Sequence, residues 1–360
     1  MDILNIETKQ VVPGMILAED VYTPSQEKIL FRNTILNAKS IAKLKVHGIN
    51  KITVFIPKNL ADQNEDIRYE HLNKTKKTIE FKKFRKQYVD TTSELKNFFG
   101  YLSENQNAEF SMDKVRSLMS GILAETTNSI RTFEMLQCMR EYDDLTYVHS
   151  LNVSLISRAL GGWLGLSGED VELLTVAGLL HDIGKVMIPQ DIINKPGSLT
   201  DDEYKMVKNH PSLGYEIVKD LNIDDRIKSV VIMHHERCDG SGYPNRLTSA
   251  EISPFAKIVA IADVYDAMTA SRVYRQAICP FDVVDTFESE GYAKYDVQYL
   301  LTFLKNIVQS YINAPVLLSN SLTGEVVMIN QAKLSRPIVN VNGEFFDLSK
   351  TPDLKIKCIL

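Results

Sequence analysis

The sequence predicts a mainly α protein: a helical bundle with a small α+β module and a long connecting helix ahead of it and a short β-appendage behind it. Three observations carry this. Apolar residues recur at helical spacing from about 111 to 313, whereas residues 314–360 hold short β-branched runs broken by turn dipeptides. Between 58 and about 107 the chain turns polar and lysine-rich and has no proline, which suits one long helix.

Taken in order, residues 1–57 contain the β-type runs Val11-Val12, Ile16-Leu17 and Ile52-Thr53-Val54-Phe55-Ile56, punctuated by Pro13-Gly14, Pro24-Ser25 and His47-Gly48. Ile41 and Leu44 stand at helical spacing between them, so this segment reads as a small regulatory α+β module. Residues 58–110 interleave Lys74, Lys76, Lys77, Lys82, Lys83, Arg85 and Lys86 with Ile79, Phe81, Phe84 and Tyr88. That pattern is read as a solvated connecting helix rather than a nucleic-acid-binding one. In 111–313, Ser111 is an N-cap candidate, and helices are predicted over 145–164, 167–180, 200–221, 225–235, 253–269 and 280–288. In 314–360, Val316-Leu317-Leu318, Glu325-Val326-Val327-Met328-Ile329 and Pro337-Ile338-Val339-Asn340-Val341 read as strands, with turns at Thr323-Gly324 and Asn342-Gly343.

Composition bounds the function classes. With 44% hydrophobic and 24% charged residues over 360 positions, the chain has the balance of a soluble globular protein of two or three units. A net charge of −5 argues against DNA or long RNA as partners. The four cysteines are scattered without a C-x-x-C pair, which suggests neither a disulfide framework nor a thiolate zinc site and fits a cytoplasmic protein. The first residues lack the pattern of a signal peptide, and no apolar run reaches the ~20 residues of a membrane span.

Five of the seven histidines, His149, His181, His210, His234 and His235, fall in the helical segment together with Asp182 and Asp263. His181-Asp182 ends the apolar run 171–180, which delivers an imidazole and a carboxylate together from the core to a cleft. A carboxylate has two oxygens and can bridge two divalent cations, and neutral imidazole suits iron, zinc or manganese. Asp263 closes the run Ile258-Val259-Ala260-Ile261-Ala262, where a single buried charge is costly unless a cation receives it. Adjacent His234 and His235 reach one ion only if their helix end points into the site.

The ordered set His149, His181-Asp182 and Asp263 resembles the HD superfamily of metal-dependent phosphohydrolases. The further elements His210, His234-His235-Glu236 and Asp239-Gly240-Ser241-Gly242-Tyr243-Pro244 resemble its HD-GYP subfamily. The resemblance covers about 111–313 and implies a helical HD-domain bundle that hydrolyses cyclic di-GMP in bacterial second-messenger signalling. It implies two divalent ions, iron or manganese, and a metal-bridged hydroxide attacking phosphorus to give linear pGpG and, further on, GMP. Carried over by position, His149, His181, Asp182 and Asp263 hold one ion, and Asp182 bridges to a second held by His210, His234 and His235. Lys185 and Asp182 are the catalytic residues, with Lys185 touching the phosphate. Asp266, Arg272 and Arg275 fall in the segment that meets substrate phosphates, and Tyr243 lines the guanine pocket. Members with a third metal carry a carboxylate where this chain has Leu145, so two ions are expected.

Two alternatives remain at this point: hydrolysis of another cyclic dinucleotide such as cyclic GMP-AMP, and a non-catalytic cyclic-dinucleotide receptor or scaffold. The residues carry no instruction against a homodimer formed through the N-terminal module or the connecting helix.

Overall fold

The computed structural model describes residues 2–8, 11, 15, 17–32, 34, 36, 38–56, 75–105, 109–126, 128–139, 145–195, 197–270 and 278–360. The chain divides into two compact units, one of residues 1–72, 313–328 and 336–360, the other of residues 73–312 and 329–335.

The smaller unit contains β1 (Asp2–Glu7), β2 (Val21–Tyr22), β3 (Lys28–Leu30), α1 (Ala38–Val46), β4 (Lys51–Ile56) and a five-stranded sheet. β1 pairs antiparallel with β4, and β2 with β3. Leu17, Leu36, Leu44, Ile52 and Val54 form a buried cluster there. The sequence missed β1 and placed a strand at Val11-Val12 instead; Val11 is in no strand, and Val12 and Ile16 lie outside the described residues. The sheet consists of β5 (Pro315–Leu318), β6 (Thr323–Met328), β7 (Ile338–Val341), β8 (Glu344–Asp347) and β9 (Ile356–Ile359), in the order β8-β7-β6-β5-β9. Asn342 and Gly343 have φ of 52° and 91°, the two positive values a tight type I′ hairpin needs, and they join β7 to β8.

The larger unit is helical, as predicted. Its elements include α2 (Ile79–Glu104), α3 (Met112–Glu125), α4 (Ser129–Cys138), α5 (Leu145–Trp163), α6 (Gly168–Leu180), α7 (Asp201–Lys208), α8 (His210–Val218), α9 (Asp225–Met233), α10 (Pro254–Thr269), α11 (Pro280–Thr286) and α12 (Val297–Ile307). α6 packs on α5 and α9, and α10 packs on α5 and α9. From Leu173 to Leu180 every residue of α6 is buried, so this helix is apolar on all sides and runs through the core. Phe133 on α4 stacks on the half-buried Trp163 at the end of α5, with ring centroids 5.6 Å apart and planes 16° apart.

α2 corrects the sequence reading. It was expected to connect two modules through solvent, yet Phe81, Phe84, Tyr88, Leu95, Phe98, Phe99 and Leu102 are buried along one side and pack on α3 and α5. Lys82, Lys83, Arg85 and Lys86 occupy the opposite side. The lysines that suggested a solvated helix are only its outer face.

A second correction concerns the helix expected over 200–221. It breaks at Asn209 into α7 and α8. A Thr200–Glu203 capping box starts α7, and Pro211, which has no N–H to give a preceding carbonyl, falls in the first turn of α8. His210 consequently opens a new helix. No helix among the described residues is long and apolar enough to cross a membrane.

Candidate metal centre

α6 ends at Leu180, so His181 is its C-cap and Asp182 leads into a single 3₁₀ turn over Ile183–Met187. This turn lies directly against α8. A Cβ on Gly184 would stand 2.0 Å from the His210 carbonyl oxygen and 2.4 Å from the Gly214 nitrogen. Both obstacles are backbone and neither can step aside. Gly184→Ala is therefore expected to cost about 3 kcal/mol or more in urea unfolding of the larger unit. An unchanged unfolding midpoint would contradict the close approach.

Three histidines are held alike. His181 Nδ1 lies 2.7 Å from the Gly178 carbonyl oxygen, His210 Nδ1 2.7 Å from that of Val207, and His234 Nδ1 3.1 Å from those of Val230 and Val231. A carbonyl oxygen only accepts, so each Nδ1 carries the hydrogen and each neutral ring turns an Nε2 lone pair inward. The Nε2 atoms of His210 and His234 then face each other at 3.1 Å. Two lone pairs at that separation repel unless a cation takes both. Likewise, His181 Nε2 and Asp182 Oδ1 are buried without a hydrogen-bond partner. Orphaned acceptors of this kind are costly in a protein interior and are the natural complement of a metal ion.

The ligand atoms form two groups. Those of His149, His181 and Asp182 lie within 4.8 Å of one another, as do those of Asp182, His210, His234 and His235. Asp182 belongs to both. Its Oδ1 stands 3.1 Å from His210 Nε2, its Oδ2 3.2 Å from His181 Nε2 and 3.5 Å from His149 Nε2, and Lys185 pairs with the same Oδ2. Asp263 Oδ1 lies 3.0 Å from His149 Nε2 and 4.0 Å from His181 Nε2. All seven residues selected from the sequence as ligands thus converge. The set of imidazoles and carboxylates fits divalent ions.

The electrostatics agree. Burial alone would raise the Asp182 carboxyl, but its interactions, led by the Lys185 ammonium, outweigh burial and hold it well below the usual carboxylate range. Burial lowers His234 to about 4 and holds His235 well below the usual histidine value. Both rings are thereby in the neutral, ligating form.

His149 sits between two carboxylates, with Nδ1 2.7 Å from Asp266 Oδ2 and Nε2 3.0 Å from Asp263 Oδ1. Burial pushes its pKa down, but hydrogen bonds to these two residues overcome that and raise it to about 9. The other Asp266 oxygen accepts from Asn152 Nδ2 at 3.0 Å, and Asn152 Oδ1 accepts from Tyr88 Oη at 2.6 Å. Asp266 was read from the sequence as a substrate contact. It is buried with both oxygens engaged, and what it holds is His149.

Past Met233 the backbone leaves the helix, and His234 and His235 are both directed into the cluster. The chain then turns through Gly240–Pro244. Glu236, buried, accepts the backbone N–H of Asn245 at 2.7 Å and of Leu247 at 2.9 Å, which ties the loop down from inside. Gly242 lets it fold back, since a Cβ there would lie 2.5 Å from Glu236 Cα and Arg237 N. The Tyr243 ring stacks on His235, with centroids 4.6 Å apart and planes 24° apart, and Lys208 Nζ lies 4.5 Å over its other face. Beside it opens a pocket of about 470 Å³ lined by Lys205, Lys208, Asn209, Tyr243 and Arg246 among others.

Arg272 and Arg275, expected at the substrate phosphates, lie outside the described residues, as do Asp143, Asp144 and the side chain of Leu145, on which the expected metal count was based. The sequence reading gave no role at the site to Tyr88, Asn152 or Glu236. Of these, Asn152 carried a signal, being three residues after His149 and so on the same helical face.

Fold and site together define a helical unit with a buried histidine–aspartate cluster suited to metal ions. Residues 129–299 match the family model of the HD domain. A cyclic di-GMP phosphodiesterase of Pseudomonas aeruginosa is 36% identical over 216 residues, 59% of this chain and 51% of that protein. The cyclic di-GMP phosphodiesterase response regulator of Xanthomonas campestris is 45% identical over 116 residues, 32% of this chain and 31% of that protein. A 3'3'-cGAMP-specific phosphodiesterase of Vibrio cholerae is 36% identical over 158 residues, 42% of this chain and 30% of that protein. The chain spans about half or less of the length of these curated relatives.

Proposed function

We propose that the chain is a phosphodiesterase that hydrolyses cyclic di-GMP to linear pGpG and then to GMP, using two divalent ions, iron or manganese. The observation that carries this reading is the membership of Asp182 in two ligand groups at once. One group is His149 and His181 with Asp182, and Asp263 Oδ1 lies 3.0 Å from His149 Nε2 beside it; the other is His210, His234 and His235 with Asp182. Ions so held supply Lewis acidity and an activated water for attack on phosphorus.

The protein's own residues do the rest. Carbonyl contacts at Nδ1 fix the inward lone pairs, so ligands need no reorganisation when an ion binds. Lys185, beside Asp182, brings a positive charge to where charge develops on the phosphate. Tyr243 offers a ring edge and Lys208 and Arg246 offer cations to a nucleotide lying in the adjoining pocket. Arg272 and Arg275 take further phosphate oxygens. Names of relatives from Pseudomonas and Xanthomonas support this substrate over others.

The test is direct: manganese-loaded protein is incubated with cyclic di-GMP and the products are separated by chromatography. Appearance of pGpG is expected, and intact substrate at full metal loading would overturn the reading. A second substrate is favoured by one observation, the Vibrio cholerae relatives named as 3'3'-cGAMP-specific, at 34% to 36% identity. Competition between the two cyclic dinucleotides decides between them: a kcat/KM at least tenfold in favour of cyclic di-GMP is the expected outcome.

A further inference from the structure

We infer that Tyr88 is a positioning residue for the metal-binding nitrogen of His149, so that α2, which precedes the residues matched by the HD family, is part of the metal centre. The inference rests on the proposed function in one respect, that His149 binds an ion. Its own ground is an unbroken buried chain of hydrogen bonds. Tyr88 Oη donates to Asn152 Oδ1 at 2.6 Å, Asn152 Nδ2 donates to Asp266 Oδ1 at 3.0 Å, and Asp266 Oδ2 lies 2.7 Å from His149 Nδ1. His149 Nε2 then faces Asp263 at 3.0 Å and Asp182 at 3.5 Å.

The direction of each bond is forced. Asn152 Oδ1 has no hydrogen, so the phenol must donate. Burial together with the Asp266 charge keeps it protonated, raising the Tyr88 pKa well above the usual tyrosine value. With Oδ1 committed, the amide presents Nδ2 to Asp266, and a carboxylate can only accept. Asp266 is thereby oriented to receive Nδ1–H, which sets both the tautomer and the plane of His149. Tyr88 is fully buried against Phe84, 5.7 Å between centroids, so no water stands ready to replace its hydroxyl. Without that hydroxyl the amide is free to flip and turn an oxygen toward Asp266, and the tether on His149 slackens. Groups that hold a ligating histidine in this way are worth about 10- to 100-fold in metal affinity.

The experiment is a manganese titration of the full metal-free chain against a competing chelator, compared for wild type, Tyr88→Phe and Phe84→Leu, with thermal midpoints recorded. Tyr88→Phe is expected to weaken one of two binding steps by about tenfold or more and to leave the other as in wild type. Phe84→Leu removes packing from the same face of α2; it should lower the midpoint and move neither step. A merely structural role for Tyr88 would make the two variants behave alike. Identical shifts in both variants, or wild-type binding by Tyr88→Phe, overturns the inference. Wild-type protein that takes up no manganese overturns the metal reading as well, and is thereby told apart from a failure confined to Tyr88.

Discussion

Replacing Asp182 with alanine should remove both metal ions at once. The carboxylate lies in both ligand groups, and among the described residues no other does. Its loss takes one ligand from each ion and leaves the inward Nε2 atoms of His181, His210 and His234 facing one another without the anion between them. The expected result is a metal content near zero by elemental analysis. Turnover should fall by about 10³-fold or more, since metal ions contribute several kcal/mol of transition-state stabilisation. His210→Ala is the comparison, because His210 belongs to one group alone. It should retain about one ion per chain. Asp182→Ala protein that still holds one ion would show that the two groups bind independently.

The second large effect concerns Lys185. In the structure its ammonium pairs with Asp182 Oδ2, which allows two distinct uses. If it acts only as counter-charge to Asp182, removing it changes metal binding and leaves the chemistry of the loaded enzyme alone. If it meets the phosphate, Lys185→Ala keeps its ions and loses transition-state stabilisation, about 10²- to 10³-fold in kcat, the magnitude typical of one well-placed donor. The second outcome is expected. A cation this close to Asp182 competes with a metal, so the variant should bind manganese at least as tightly as wild type. Reduced metal content in Lys185→Ala would sink the phosphate role.

Local sequence revealed much of this site and for a physical reason. His181-Asp182, Lys185 and His234-His235 lie within single turns, so their proximity is built into the chain, and an apolar run before each marks the helix that carries it into the core. The joining of His149 to Asp263, over 114 residues, became legible only through the resemblance to a known family. α2 was judged by its lysines, which describe the face toward solvent, and the decisive residues were aromatics whose partners lie 64 positions away, as with Tyr88 and Asn152. Asp266 was placed at the substrate phosphates because it falls in the segment carried over from the resemblance, whereas in the structure a histidine on another helix receives it. The break at Asn209 was announced by Pro211 and the Thr200–Glu203 pair, which the sequence reading did not use. The short strands β8 and β9 have too few residues for alternation to register, and only the Asn342-Gly343 turn pointed to one of them.

Trp163 is the one tryptophan in the chain, and it stands at the end of α5 against Phe133, within the larger unit. The molecule therefore carries its single indole fluorophore in one of its two units, and the tyrosines are set aside by exciting at the red edge of the absorption band. Indole emission follows the helical unit alone through a denaturant series, while far-ultraviolet circular dichroism sums over both. Coincident curves from the two probes would mark a single cooperative transition, and separated curves would give each unit its own stability.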